Sequence, residues 1–292
     1  MTLALFLIAA TSLFAQTSIV AENYYVSSNG SESSQCGGYD LPCARIYYVS
    51  GRILPDGSKL CIINIQPGTY TEPAVGITNS RVRFVGLNPE NTIIIDYETR
   101  STSLYTVSNG LLLVQNLQAQ NRATKSKEPL FSLTGSGSIR IDGCRFTKYQ
   151  ESSSYGPILG AIQGRVTVNN SRFVNIPFSN AAALQFGALV DSVFIADSSF
   201  QNLVNSLGHG SAIYATMSQT QILSVERSQF IQCSSSEGGG VGLIELGRRT
   251  SSASQMFILL DCKVSECTSE GYGGAFYFRG VDDFVIYVIY LM

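Results

Sequence analysis

Charge is scarce in this chain. Only 14% of its 292 residues are Asp, Glu, Lys or Arg, and 19 basic against 21 acidic residues leave a net charge of −2. No basic stripe runs along any segment, which argues against nucleic acid and against basic membrane-surface attachment. Helical periodicity is missing after the N-terminus, and so is the regular hairpin punctuation of a β-sandwich. The single histidine, His209, sits in the glycine-flanked stretch LGHGS and reads as a turn residue, not a catalyst. What the chain does hold is 45% hydrophobic residues, enough to build a core, so disorder is excluded.

The N-terminus, MTLALFLIAATSLFAQTSIVAEN, has an apolar run from Leu3 to Ala10 that continues to Leu13 and Phe14. It is short for a membrane span, and small residues follow at Ala15 and Ala21. This predicts a secretory signal over 1–21, although no Lys or Arg precedes the run. The sequons Asn29-Gly30-Ser31 and Asn169-Asn170-Ser171 make Asn29 and Asn169 glycosylation candidates in an exported chain. Seven cysteines are an odd set. Cys36 and Cys43 lie in CGGYDLPC, a Gly-rich turn whose two sulfurs can meet, so a local disulfide is expected there. The same C-x6-C spacing, with no histidine nearby, is poor zinc chemistry.

Internal similarity decides the fold. Five segments align: SIRIDGCRF (138–146), RVTVNNSRF (165–173), SVFIADSSF (192–200), ILSVERSQF (222–230) and MFILLDCKV (256–264), with a weaker copy in LLLVQNLQA (111–119). Their last residues fall at 119, 146, 173, 200, 230 and 264, at intervals of 27, 27, 27, 30 and 34. Apolar residues alternate within each copy, as at Ile139 and Ile141, which is the period of a strand with one buried face. A second apolar column follows each mark: GPILGAI (156–162), AAALQF (181–186), GSAIYA (210–215), GGVGLIE (239–245) and GGAFYF (273–278). Two short strands per repeat, separated by Gly/Ser/Asn turns, describe one coil of a parallel β-helix. A lone coil cannot bury its apolar face, so the array is the folding unit. The expected fold is all-β, a single-stranded right-handed parallel β-helix of about ten coils, a rod of roughly 50 Å at ~4.8 Å per coil. Cys144, Ser171, Ser198, Ser228 and Cys262 then share one column of small inward residues. Cys233 and Cys267 each lie three residues past a mark and stand above one another. They are either a vertical disulfide or two buried thiols.

The coil pattern resembles the pectin-lyase-like right-handed β-helix superfamily. Its later coils are similar to polymorphic outer-membrane proteins and to β-helix repeat proteins of protists, on the strength of Gly273-Gly274-Ala275-Phe276 and, more loosely, Gly210-Ser211-Ala212-Ile213. The likeness covers roughly 110–280. The opening YYVSSNGSESSQCGGYDLPCARI is similar to the capped start of many exported β-helix proteins. IQPGTYTE (65–72) and VRFVGLNPENTIII (82–95) look like first coils of pectin methylesterases and of their non-enzymatic relatives. Of the enzymes in that superfamily, the esterase gets the nearest echo, in CRFTKYQESSSYG (144–156). There Gln150 would stabilise an oxyanion and Glu151 would be the acid. No nucleophilic Asp follows one coil later; the nearest, Asp191, lies in ALVDSVFIADSSF, and the chain has no L-G-R-P-W segment and no tryptophan at all. Lyase-type calcium sites need clustered Asp, but Asp282 and Asp283 are adjacent and read as a turn. Polygalacturonase-type hydrolysis needs Asp and His on neighbouring coils. The outward middle positions Arg140, Thr167, Phe194, Ser224 and Ile258 hold no acid stack.

The expected organisation is a signal over 1–21, an N-terminal cap and first coil over 22–60, and β-helix over 61–292. The apolar end FVIYVIYLM (284–292) suggests truncation, with membrane contact only through a missing C-terminal segment. No catalytic, cofactor or metal residues are assigned. The expected role is non-catalytic: a secreted or cell-surface structural, adhesive or glycan-binding protein, with an extracellular polysaccharide or cell-surface glycoprotein as partner. The alternative is a carbohydrate-active enzyme of esterase, lyase or hydrolase type with an unrecognised site. Oligomeric state is not legible.

Overall fold

A computed structural model of the chain describes residues 20–53, 55, 57–96, 102–121, 128–148, 156–217, 221–246, 255–280 and 285–291. Gln150, Glu151, Asp282 and Asp283 lie outside them, as does the signal-like run before residue 20. The described residues wind into a parallel β-helix. Ten rungs stack in one sheet, from Ala21–Ser31 and Leu60–Ile65 through Ser138–Asp142 to Val285–Leu291. Every pairing is parallel, and equivalent residues stack: Ile139 sits between Leu112 and Val166, and Val193 between Val166 and Leu223.

Each coil has three strands, not the two that the repeat suggests. The coil at 131–148 shows them: Phe131–Leu133 (sheet a), Ser138–Asp142 (sheet b) and Arg145–Lys148 (sheet c). The marking phenylalanine belongs to sheet c, past a sharp bend. Asn116, Gly143, Asn170, Asp197, Arg227 and Asp261 make that bend in successive coils, all with φ between 45° and 63°. Glycine and short polar residues visit this region most readily, and all of the bend residues but Arg227 are of that kind. The alternation therefore breaks one residue before each Cys or Ser of the inward column. In two coils sheets a and b are one continuous strand, Leu159–Asn169 and Leu184–Ala196, turned by register shifts near Ala161 and Gly164.

The interior is filled by columns. Phe146, Phe173, Phe200 and Phe230 stack at 4.8, 4.7 and 5.0 Å between ring centroids, and all four are fully buried. Such pairs contribute about 0.5–1.5 kcal/mol each beyond area burial. Beside them runs a serine ladder. The amides of Cys144, Ser171 and Ser198 donate to the hydroxyls of Ser171, Ser198 and Ser228 one coil on, each at 3.2 Å. Those hydroxyls donate to the carbonyls of Asn169, Ala196 and Glu226.

Cys36 and Cys43 form the expected disulfide, within the cap. Cys233 and Cys267 stand one above the other, since Ser234 and Thr268 are partners and the Thr268 amide donates to the Cys233 carbonyl at 2.9 Å. Both are thiols, so the disulfide alternative is not realised; Cys233 is buried and Cys267 half-buried. The cap also holds the short helix Ile46–Ser50. Buried Glu72 accepts from the amides of Ile46 at 2.8 Å and Tyr47 at 3.1 Å, tying that helix to the first coil. Burial raises the Glu72 carboxyl to about 7 despite those two donors.

Candidate functional site on the outer face of sheet a

Sheet a turns one side of each strand into the core and the other outward. Its outward column reads Ser132, Gly160, Gln185, Tyr214, Leu243 and Tyr277 on successive coils. Leu243 is fully buried between its two tyrosine neighbours. Two positions on, Thr216, Glu245 and Arg279 form a second column. These columns meet in a chain of contacts. The Tyr214 hydroxyl donates to Glu245 Oε2 at 2.6 Å, and Arg279 Nη1 lies 3.6 Å from Glu245 Oε1. Partial burial and the Glu245 bond both raise the Tyr214 phenol above its ordinary range.

A second pair stands alongside, in the turns that lead into sheet a. His209 Nε2 is 2.8 Å from Glu237 Oε2, one coil away. The His209 ring faces Tyr277 at 6.3 Å, and Tyr277 in turn stacks on Tyr272 at 5.4 Å. His209 Nδ1 is buried with no hydrogen-bond partner, pressed towards Gly238, where an added Cβ would come within 3.1 Å of it. Two depressions open here. One of about 330 Å³ runs past Pro129, Ile162, Gln185 and Tyr214. The other, about 250 Å³, lies between Asn180, Gln185, His209 and Tyr214. Tyr214 and Gln185 line both. The surface pairs flat phenol rings with amide and carboxylate groups, so it can stack on a ring and hydrogen-bond hydroxyls around it.

Other residues singled out in the sequence are scattered. Asp191 is exposed in Leu184–Ala196, at a register irregularity. Arg140, Thr167, Phe194, Ser224 and Ile258 do form one column of sheet b, with Ser224 buried. Asn29 is exposed and Asn169 half-buried. Sequence reasoning placed His209 in a turn, where it is, but missed its partner. The signal was the coil spacing: Glu237 follows His209 by 28 residues and Glu245 follows Tyr214 by 31.

No protein-family model matches the chain, and no curated protein matches its sequence. Among solved structures, that of Escherichia coli YbhC is similar, with 12% sequence identity and a TM-score of 0.47 over 92% of this chain and 86% of that one.

Proposed function

We propose that the chain is a non-catalytic β-helix protein of the pectin-lyase-like kind that works outside the cell or at its surface by binding a glycan. The observation that carries this reading is the outer face of sheet a. Tyr214, Tyr272 and Tyr277 offer ring faces for sugars, and Gln185 and Asn180 offer amides for their hydroxyls. The carboxylates there are engaged: Glu245 with Tyr214 and Arg279, Glu237 with His209. Export is supported by the signal-like N-terminus and by a disulfide in the cap.

The test is a glycan array probed with the purified full chain. Saturable binding to one glycan class is expected, weakened about tenfold by Tyr214→Ala or Tyr277→Ala, as for loss of a stacking contact. No binding by folded protein overturns the glycan reading and leaves an architectural role. The second reading, a carbohydrate-active enzyme, draws on the same cluster, since His209–Glu237 stands near the Tyr277 face. Bond cleavage in the bound glycan that Glu237→Gln or Glu245→Gln abolishes would establish the enzyme instead.

A further inference from the structure

The bend between sheets b and c carries a second groove, away from the face just described. Its larger part, about 570 Å³, is lined by Asn116, Gly143, Asn170, Gln118, Arg145 and Arg172, with Glu90 at one end. A further 450 Å³ continues past Arg145 and Arg172 to Asp197 and Arg227. The bend residues form its floor, with the Asn116 side chain leaning over Gly143, where an added Cβ would come within 2.7 Å of Asn116 Oδ1. The first outward residues of sheet c form its wall: Gln118, Arg145, Arg172 and Ser199 are register partners on consecutive coils.

Arg145 and Arg172 are therefore direct neighbours, about 4.8 Å apart at the backbone. Like charges placed opposite one another on paired strands repel. Among the described residues neither guanidinium has an ion-pair or hydrogen-bond partner. Two coils beyond Arg172, the contrast is sharp. Arg227 is clamped by Asp197 through two bonds of 2.8 and 3.0 Å and by Glu226 at 3.1 Å. The Arg227–Asp197 pair neutralises that end, so two uncompensated cations remain in mid-groove.

We propose that this groove binds an extended anionic glycan, with Arg145 and Arg172 gripping its sulfate or carboxylate groups. A guanidinium donates in a planar fork that matches an oxyanion, and two of them one coil apart read successive charges along a polymer. The amides of Asn116, Gln118 and Asn170 line the same path and suit sugar hydroxyls. A peptide fits less well. The sheet c strands here are paired on both sides, so no open strand edge invites a peptide to add on. The proposal does not depend on the glycan site on sheet a.

The experiment measures binding of the full chain to a sulfated polysaccharide, to polygalacturonate, to neutral dextran and to poly-glutamate, at low and at physiological salt. One or both acidic polysaccharides bind, more weakly as salt rises, while dextran and poly-glutamate do not. Which of the two binds identifies the oxyanion. Arg145→Gln with Arg172→Gln lowers that affinity about tenfold or more. Its thermal unfolding temperature stays level or rises, because a repulsion is gone. Arg165→Gln, the same charge change on sheet b, leaves binding intact. The proposal is overturned if the double variant binds as well as the parent, or if Arg165→Gln weakens binding equally. Tight binding of poly-glutamate, or no binding of either acidic polysaccharide by folded protein, also overturns it.

Discussion

Ser198 does two things with one hydroxyl. Its oxygen accepts the Ser171 amide at 3.2 Å, and its proton goes to the Ala196 carbonyl at 2.8 Å. Replacing it with alanine leaves a buried N–H without a partner, at a cost of about 1–3 kcal/mol. Ser198→Cys is milder, since Cys144 and Cys262 already occupy this column and sulfur is a weak acceptor. Urea unfolding of the two variants checks the order. Cys267 gives a second prediction at this scale. Interaction with the neighbouring Cys233 thiol lowers Cys267 to about 7, while Cys233 itself is raised. Burial pushes Cys144 up to about 12. With thiolates as the reactive form, Cys267 is alkylated first among the free cysteines at neutral pH. Cys233→Ser slows that labelling, as peptide mapping of the alkylated protein can follow.

Among the elements, the cap helix Ile46–Ser50 is too short to stand alone and leans on Glu72. The Glu72 carboxyl titrates near 7 in the folded chain, against an ordinary value of 4.5. Below pH 4.5 both folded and unfolded forms are protonated. Between 4.5 and 7 the unfolded chain loses its proton first, so stability falls as pH rises through this window and then levels off. Urea midpoints measured across the window show that decline in the parent chain and a flatter profile in Glu72→Gln. In the aromatic column, Phe173→Ala opens a cavity between Phe146 and Phe200 and costs about 3–5 kcal/mol. The phenylalanine and serine columns were legible in the sequence because one residue type recurs at a near-constant interval. The bend was not, because Gly143, Asn170, Asp197 and Arg227 share a backbone angle and no common side chain. Nor was the Tyr214–Glu245–Arg279 chain. Its members lie 31 and 34 residues apart, in coils of unequal length, and only the strand pairing shows which residues face each other. The two stacked arginines were in view, each one residue before a marking phenylalanine and 27 residues apart, but only the structure shows that neither guanidinium has a partner among the described residues.

At the scale of the molecule, stability is close to a sum over coils and their contacts with neighbours. Deleting residues 146–172 joins Arg145 to Phe173 and removes one coil of 27 residues while every remaining partner keeps its register. Such a protein keeps its β-sheet circular dichroism and unfolds cooperatively. A deletion a few residues shorter misaligns the columns and does not. The same stacking makes the molecule anisotropic under load. Hydrogen bonds between coils run along the rod axis, so tension between the cap and a distant coil opens them one layer at a time, like a zipper. Each layer released would lengthen the chain by about 27 residues, or roughly 90 Å when drawn out at ~3.4 Å per residue. A ligand held along the side of the rod crosses several layers at once and shares the load among them. For a ligand of the proposed kind, grip and yield would lie in perpendicular directions, and a chain pulled from its cap would give way coil by coil while the ligand stayed held across several layers.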